Sequence, residues 1–222
     1  MQPKTIVKTL IALSIIGIYA IIPSTLEIIG YNTNKPQLLE TASKLSLNPQ
    51  EKARLYRNLS INFYGKEGEA YTDGDLAIKY GEKYAKGDYK NKQEILALLY
   101  FLKGYELKTL EIEKVSQKYN FTPQVYILKN DYQTALKYYE KKQKIQGQLS
   151  VSDKLLIKIC YAELGQKEKA EQIWNEIFTE NRSKYSSDID FFNNFIQPNF
   201  AYLSIENFQK TVKEKQKSFK FS

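Results

Sequence analysis

Residues 156–178 read LIKICYAELGQKEKAEQIWNEIF, and their spacing decides how the chain folds. Ile157, Tyr161, Gly165, Ala170 and Trp174 follow one another at offsets of four, four, five and four. An interval of four keeps side chains on one helix face, and a glycine between two such runs is the usual stop for the first helix. The stretch therefore predicts a helical hairpin. Gly165 takes the turn, and Ala170 is small enough to let a neighbouring helix approach.

Working outward, the same alternation of apolar helix, turn residue and second helix continues in both directions. Upstream, Asn48 and Pro49 open a helix whose capping box is completed by Glu51, with Leu55, Leu59 and Phe63 on one stripe ending near Gly65. From Asp75, LAIKYGEKYAKGD reads as a helix closed by Gly87. NKQEILALLYFLKG stops at Gly104, YELKTLEIEKVSQKYN follows it, and Thr122-Pro123 begins a short helix through Leu128. DYQTALKYYEKKQKIQG and SVSDKLLIKICYAELG complete the approach to the opening stretch, and no window shows strand alternation. Beyond it, Pro198 interrupts the aromatic run DIDFFNNFIQPNF, and residues 201–222 read as a capping helix with a basic tail, its apolar face carried by Leu203, Phe208 and Val212.

The opening stretch resembles a tetratricopeptide repeat, whose signature spacing matches Ile157, Tyr161, Gly165, Ala170 and Trp174. A second copy resembles it through Tyr126, Tyr132, Ala135 and Tyr139, with Ala135 lying 35 residues before Ala170, close to the family period of about 34. Ala77 with Gly81, and Leu96, Tyr100 and Gly104, are more distant matches. In the latter unit Thr109 and Glu113 stand where alanine and an aromatic belong. The resemblance implies an all-α fold, a right-handed array of antiparallel helix hairpins over residues 36–200. It also implies a concave, partner-binding groove lined by the first helices: Leu98, Phe101 and Leu102 in one unit, and Ser152, Leu155, Ile159, Ala162 and Glu163 in the best one. That lining would suit an amphipathic helix or an apolar segment of a protein partner. The competing expectation is that the chain's own residues 186–197 fill the groove.

The first 30 residues stand apart. Lys4 and Lys8 precede an uncharged run from Thr9 to Ile22, closed by Pro23. No position downstream offers the small residues that signal cleavage needs, so residues 6–22 are predicted to be an uncleaved, membrane-spanning signal anchor. The rest of the chain is then exported, tied on by a linker that includes residues 24–35. Secretion after leader cleavage is the alternative.

Composition narrows the function. The chain has no histidine, which excludes His-dependent triads and His metal sites. Its one cysteine, Cys160, lies in an apolar helical stretch and reads as a core residue. The 33 basic against 25 acidic residues leave a net charge of +8, but Arg54, Arg57 and Arg182 are the only arginines. A lysine coat lacks the bidentate fork suited to bases and phosphates, so a solvated surface is expected rather than a nucleic-acid interface. Carboxylate pairs such as Asp73 and Asp75, Glu111 and Glu113, or Asp188 and Asp190 are two apart and point away from each other on a helix. No enzyme activity, cofactor or metal is expected. The sequence favours an envelope adaptor that binds a protein or peptide, in a secretion, pilus or cell-wall complex. An immunity protein neutralising a toxin in the same compartment is the alternative.

Overall fold

The computed structural model describes residues 22–30, 32–33, 35–46, 48–62, 74–87 and 91–220. All regular structure in them is helical, with consecutive helices packed in antiparallel pairs. The predicted membrane span lies outside the described residues except for Ile22, and among the described residues no helix is long and apolar enough to cross a membrane. The chain divides into two compact units, Met1–Lys92 with Lys220–Ser222, and Gln93–Phe219.

The first unit holds helix α1 (22–30), α2 (Pro36–Leu45), α3 (Pro49–Asn62) and α4 (Gly74–Ala85). Residues 24–30, expected to be linker, are helical. Gly30 explains part of the change, because a Cβ there would come to 3.0 Å from the Leu39 side chain, which would have to shift for α1 to meet α2 as closely. Arg54 adds a charged tie, reaching Glu27 of α1 and Glu51 of α3, each at 2.5 Å. The two carboxylates raise the Arg54 pKa, Glu51 first and then Glu27. The Asn48 carboxamide accepts from Gln50 N–H at 2.9 Å and caps α3 as the sequence predicts, while Glu51, assigned to the same box, bonds Arg54. Leu55, Leu59 and Ala77 are buried where the stripes place them, and α3 packs against both α2 and α4.

The second unit contains three successive hairpins. They are α5 (Lys92–Lys103) with α6 (Glu106–Ser116), α7 (Thr122–Leu128) with α8 (Tyr132–Gln146), and α9 (Val151–Glu163) with α10 (Lys167–Arg182). Their turns are the same. Gly104, Asn130 and Gly165 each adopt a left-handed conformation, with φ of 76°, 58° and 74°. The next residue donates its N–H to the carbonyl of Tyr100, Tyr126 or Tyr161, at 2.8, 2.9 and 2.9 Å. This bond, with the shorter one from the turn residue itself, is the Schellman arrangement that satisfies carbonyls at a helix end. Tyr105, Asp131 and Gln166 then open the second helices with nearly equal backbone angles. Five residues past each turn comes a small buried side chain, Thr109, Ala135 or Ala170.

The three hairpins differ in what they do with that common frame. Pro123 in the first turn leaves α7 only seven residues long. In α6 the usual pattern is inverted: Leu107 and Val115 are exposed, whereas Thr109 and Glu113 are buried. Glu113, at the position taken by Tyr139 and Trp174 in the other hairpins, points its carboxylate at the start of α7. There it accepts N–H bonds from Asn120, Phe121 and Thr122 at 2.6 to 3.0 Å. A carboxylate at a helix start satisfies orphan N–H groups and complements the dipole. Burial raises its pKa, against the pull of the Phe121 and Thr122 N–H groups.

Helix α9 starts in a full capping box between Ser150 and Asp153. Asp153 also holds Lys142 of α8 through both oxygens, at 2.9 and 2.8 Å in a buried setting, so the α8–α9 connection is pinned by charge. After α10 come α11 (Asp188–Phe191), a π-helical turn (Phe192–Ile196), a 3-10 turn (Phe200–Tyr202) and α12 (Ile205–Lys220). Phe191 and Phe195 stack at 5.0 Å on one side of this run and join Leu155 and Ile177 in a core. Among the apolar residues foreseen for the terminal helix, Phe208 and Val212 are buried and Leu203 half-buried.

Candidate partner-binding face

The predicted groove residues fall into three environments. On α5, Leu98 is half-buried, while Phe101 and Leu102 are buried, with the Phe101 ring stacked on Phe121 at 5.2 Å. On α9, Ser152 is half-buried and Leu155 and Ile159 are 0% and 2% exposed. Ala162 and Glu163, one turn further on, are exposed. Most of this apolar set therefore faces protein rather than solvent.

Its cover comes from the chain's own C-terminal part. Phe191 and Phe195 lie against Leu155, joined by half-buried Ile196, Tyr202 and Leu203. This is the segment the sequence offered as a self-filling alternative, extended by several residues. The 3-10 turn packs on α9, and Lys158 Nζ donates to the Leu203 carbonyl at 3.1 Å. Helix α12 then bonds to the ends of two of the first helices, α7 and α5. Gln209 Nε2 donates to Asn130 Oδ1 in the α7–α8 turn at 3.2 Å, and Gln216 Nε2 to the Phe101 carbonyl in the last turn of α5 at 2.9 Å. Phe208, Val212 and Phe219 form its buried face.

What stays open lies beside this cover. Lys158, Ala162, Lys167, Ala170, Glu171, Trp174 and Leu203 line a recess of about 460 Å³. Ala162 is the one predicted groove residue in it. Lys158 sits over the Trp174 ring at 5.8 Å, and Lys169 over Tyr161 at 5.2 Å, so both aromatic signature residues carry a cation on an accessible face. Ile157, Tyr161 and Trp174 are half-buried and Gly165 is exposed, whereas Ala135, Tyr139 and Ala170 are buried.

Cys160 is fully buried, and loss of solvation pushes its thiol up to about 12, which keeps it protonated at neutral pH. The carboxylate pairs separate as expected: Asp188 bonds Arg182 at 2.7 Å while Asp190 accepts from Ser186 N–H at 3.1 Å, and Glu111 is exposed while Glu113 is buried. Asp73 lies outside the described residues. Among the described residues no group of three or more acidic or thiol side chains could hold a metal ion.

Sequence reasoning missed Asn130, Gln209 and Gln216, which fix the register of α12. Asn130 carried a usable signal, since asparagine tolerates the left-handed conformation and sits four residues after Tyr126, as Gly165 does after Tyr161. The two glutamines carried none, because their partners are 79 and 115 residues away. No protein-family model matches the chain, and neither the curated proteins nor the solved structures contain a match to it.

Proposed function

We propose that the chain is a membrane-anchored, tetratricopeptide-like adaptor that binds a protein or peptide partner in an envelope assembly such as a secretion, pilus or cell-wall complex. The observation that carries this reading is the row of three equivalent turns at Gly104, Asn130 and Gly165, with a tyrosine four residues before and a small buried residue five after each. Equivalent turns give equivalent hairpins, and stacked hairpins present their first helices as one extended surface. An amphipathic helix is the class of ligand such grooves take, and the chain's own α12 bonds to the ends of two first helices, at Asn130 and the Phe101 carbonyl. Binding, rather than catalysis, fits a site built from aromatic, aliphatic and lysine side chains around a recess.

In this reading residues 6–22 hold the chain in the membrane and the helical part works on the exported side. The partner engages the recess beside Leu203, where Trp174 offers an aromatic anchor and Ala162 is accessible, with exposed Glu163 next to it in sequence. The test is a crosslinking pull-down of the full-length chain from its own membranes, beside an Ala162→Arg/Lys167→Glu variant. Both substitutions fall on exposed positions, so circular dichroism should stay unchanged while a co-purifying protein is lost. Equal recovery of every co-purifying protein by both chains would reject the adaptor reading.

A further inference from the structure

We propose that a cleft between α8, α9 and α10 binds an alkylammonium group, an amine carried on an apolar stem. The cleft shares no residue with the recess at Trp174. Its volume of about 410 Å³ falls within the roughly 300 to 1,000 Å³ of small-molecule sites. Half-buried Ile157 and Tyr161 of α9 and Ile173 of α10 supply its apolar surface. Tyr139 also belongs to the lining, is 1% exposed, and keeps a buried hydroxyl with no hydrogen-bond partner.

Charge decides the ligand. Glu140 of α8 and Glu176 of α10 enter the lining from different helices, and both are exposed. Among the described residues neither carboxylate has a cation for a partner, and Glu176 accepts only from the Gln172 amide, at 3.0 Å. The one cation in the lining, Lys154, is already bonded to Glu180 at 3.0 Å. An anionic ligand would be repelled by Glu140 and Glu176. A neutral apolar ligand would take water from them and return no hydrogen bond. An alkylammonium group avoids both costs, because its stem covers Ile157 and Ile173 while its N–H groups donate to a carboxylate. Tyr161 favours the same charge: its ring already draws Lys169, which lies outside the lining, to 5.2 Å. A free amine and the lysine side chain of a partner both present this group.

The test is a titration of the full-length protein with isotope-labelled isoleucine methyl groups, followed by nuclear magnetic resonance. Pentylamine should shift the Ile157 and Ile173 signals to saturation, and pentanol, its uncharged counterpart, should bind at least about tenfold more weakly. A Glu140→Gln/Glu176→Gln chain should lose at least about tenfold in pentylamine affinity and keep the native melting temperature, because both positions are exposed. Equal binding of amine and alcohol, shifts that never saturate, or a variant that binds like the native chain would each overturn the proposal. Should the variant fold poorly, the comparison of amine with alcohol on the native chain still decides. Nα-acetyl-lysine methylamide separates the two sources. Tighter binding than pentylamine makes the occupant a partner's lysine, weaker binding makes it a free amine, and both outcomes support the ammonium site. No step requires a protein recovered from membranes, so this site and the adaptor reading stand or fall separately.

Discussion

Glu113 shows how one side chain can change its meaning between sequence and structure. A carboxylate where two sibling hairpins place Tyr139 and Trp174 reads as a worn repeat position. In three dimensions it is 1% exposed and receives the N–H groups that open α7. Because burial holds its pKa above the usual carboxylate value, its contribution to stability is fully present below the unfolded value of about 4.3 and is lost as pH rises through the native value. Relative to a Glu113→Gln variant, the native chain should therefore lose stability from about pH 4.3 upward, read as a falling difference in urea midpoint. A difference constant between pH 4 and 7 would contradict it. Nothing local could reveal this role, since the acceptor and its donors are seven to nine residues apart across a bend. Asn130 is the milder case: its left-handed turn was legible from spacing, but its bond to Gln209 was not.

At the scale of elements, boundaries were the most legible feature, because caps are local chemistry. Ser150, Gly147, Pro49 and Gly165 all fall where the sequence puts helix ends. Faces were less legible. Leu107 and Val115 of α6 point outward while Thr109 and Glu113, which caps α7, take the inner side, so periodicity misjudges that helix. Residues 24–30 read as linker because their polar spacing is weak, while their helix depends on Gly30 and on Arg54, a residue of another element. Between α8 and α9, the buried Lys142–Asp153 pair carries the connection. Replacing Lys142 by Met leaves the Asp153 carboxylate buried without its cation, which costs about 3 to 5 kcal/mol. A double-mutant cycle with Asp153→Asn should return a coupling of at least about 1.5 kcal/mol; additive losses would mean the pair is incidental.

For the whole molecule, the array of helix pairs was legible, while the sequence left open whether the first-helix face is free or filled by residues 186–197. Periodicity assigns a residue to a face but cannot say what lies on that face, so Leu155 and Ile159 read as lining and are instead covered. The consequence is direct: Leu155→Glu places a carboxylate among Ile177, Phe191 and Phe195 and should cost more than about 4 kcal/mol. A lowered melting temperature is the expected signature, and a variant that melts like the native chain would show the site open to water. The bond from Gln216 back to Phe101 has a further consequence, for synthesis. Its two ends are 115 residues apart, and a ribosome adding roughly 5 to 20 residues per second needs about 6 to 23 seconds to make that distance. During this interval the hairpins can form from neighbouring contacts while α12 does not yet exist. Every newly made chain therefore passes through a window in which the Asn130 turn and the end of α5 lack their α12 partners.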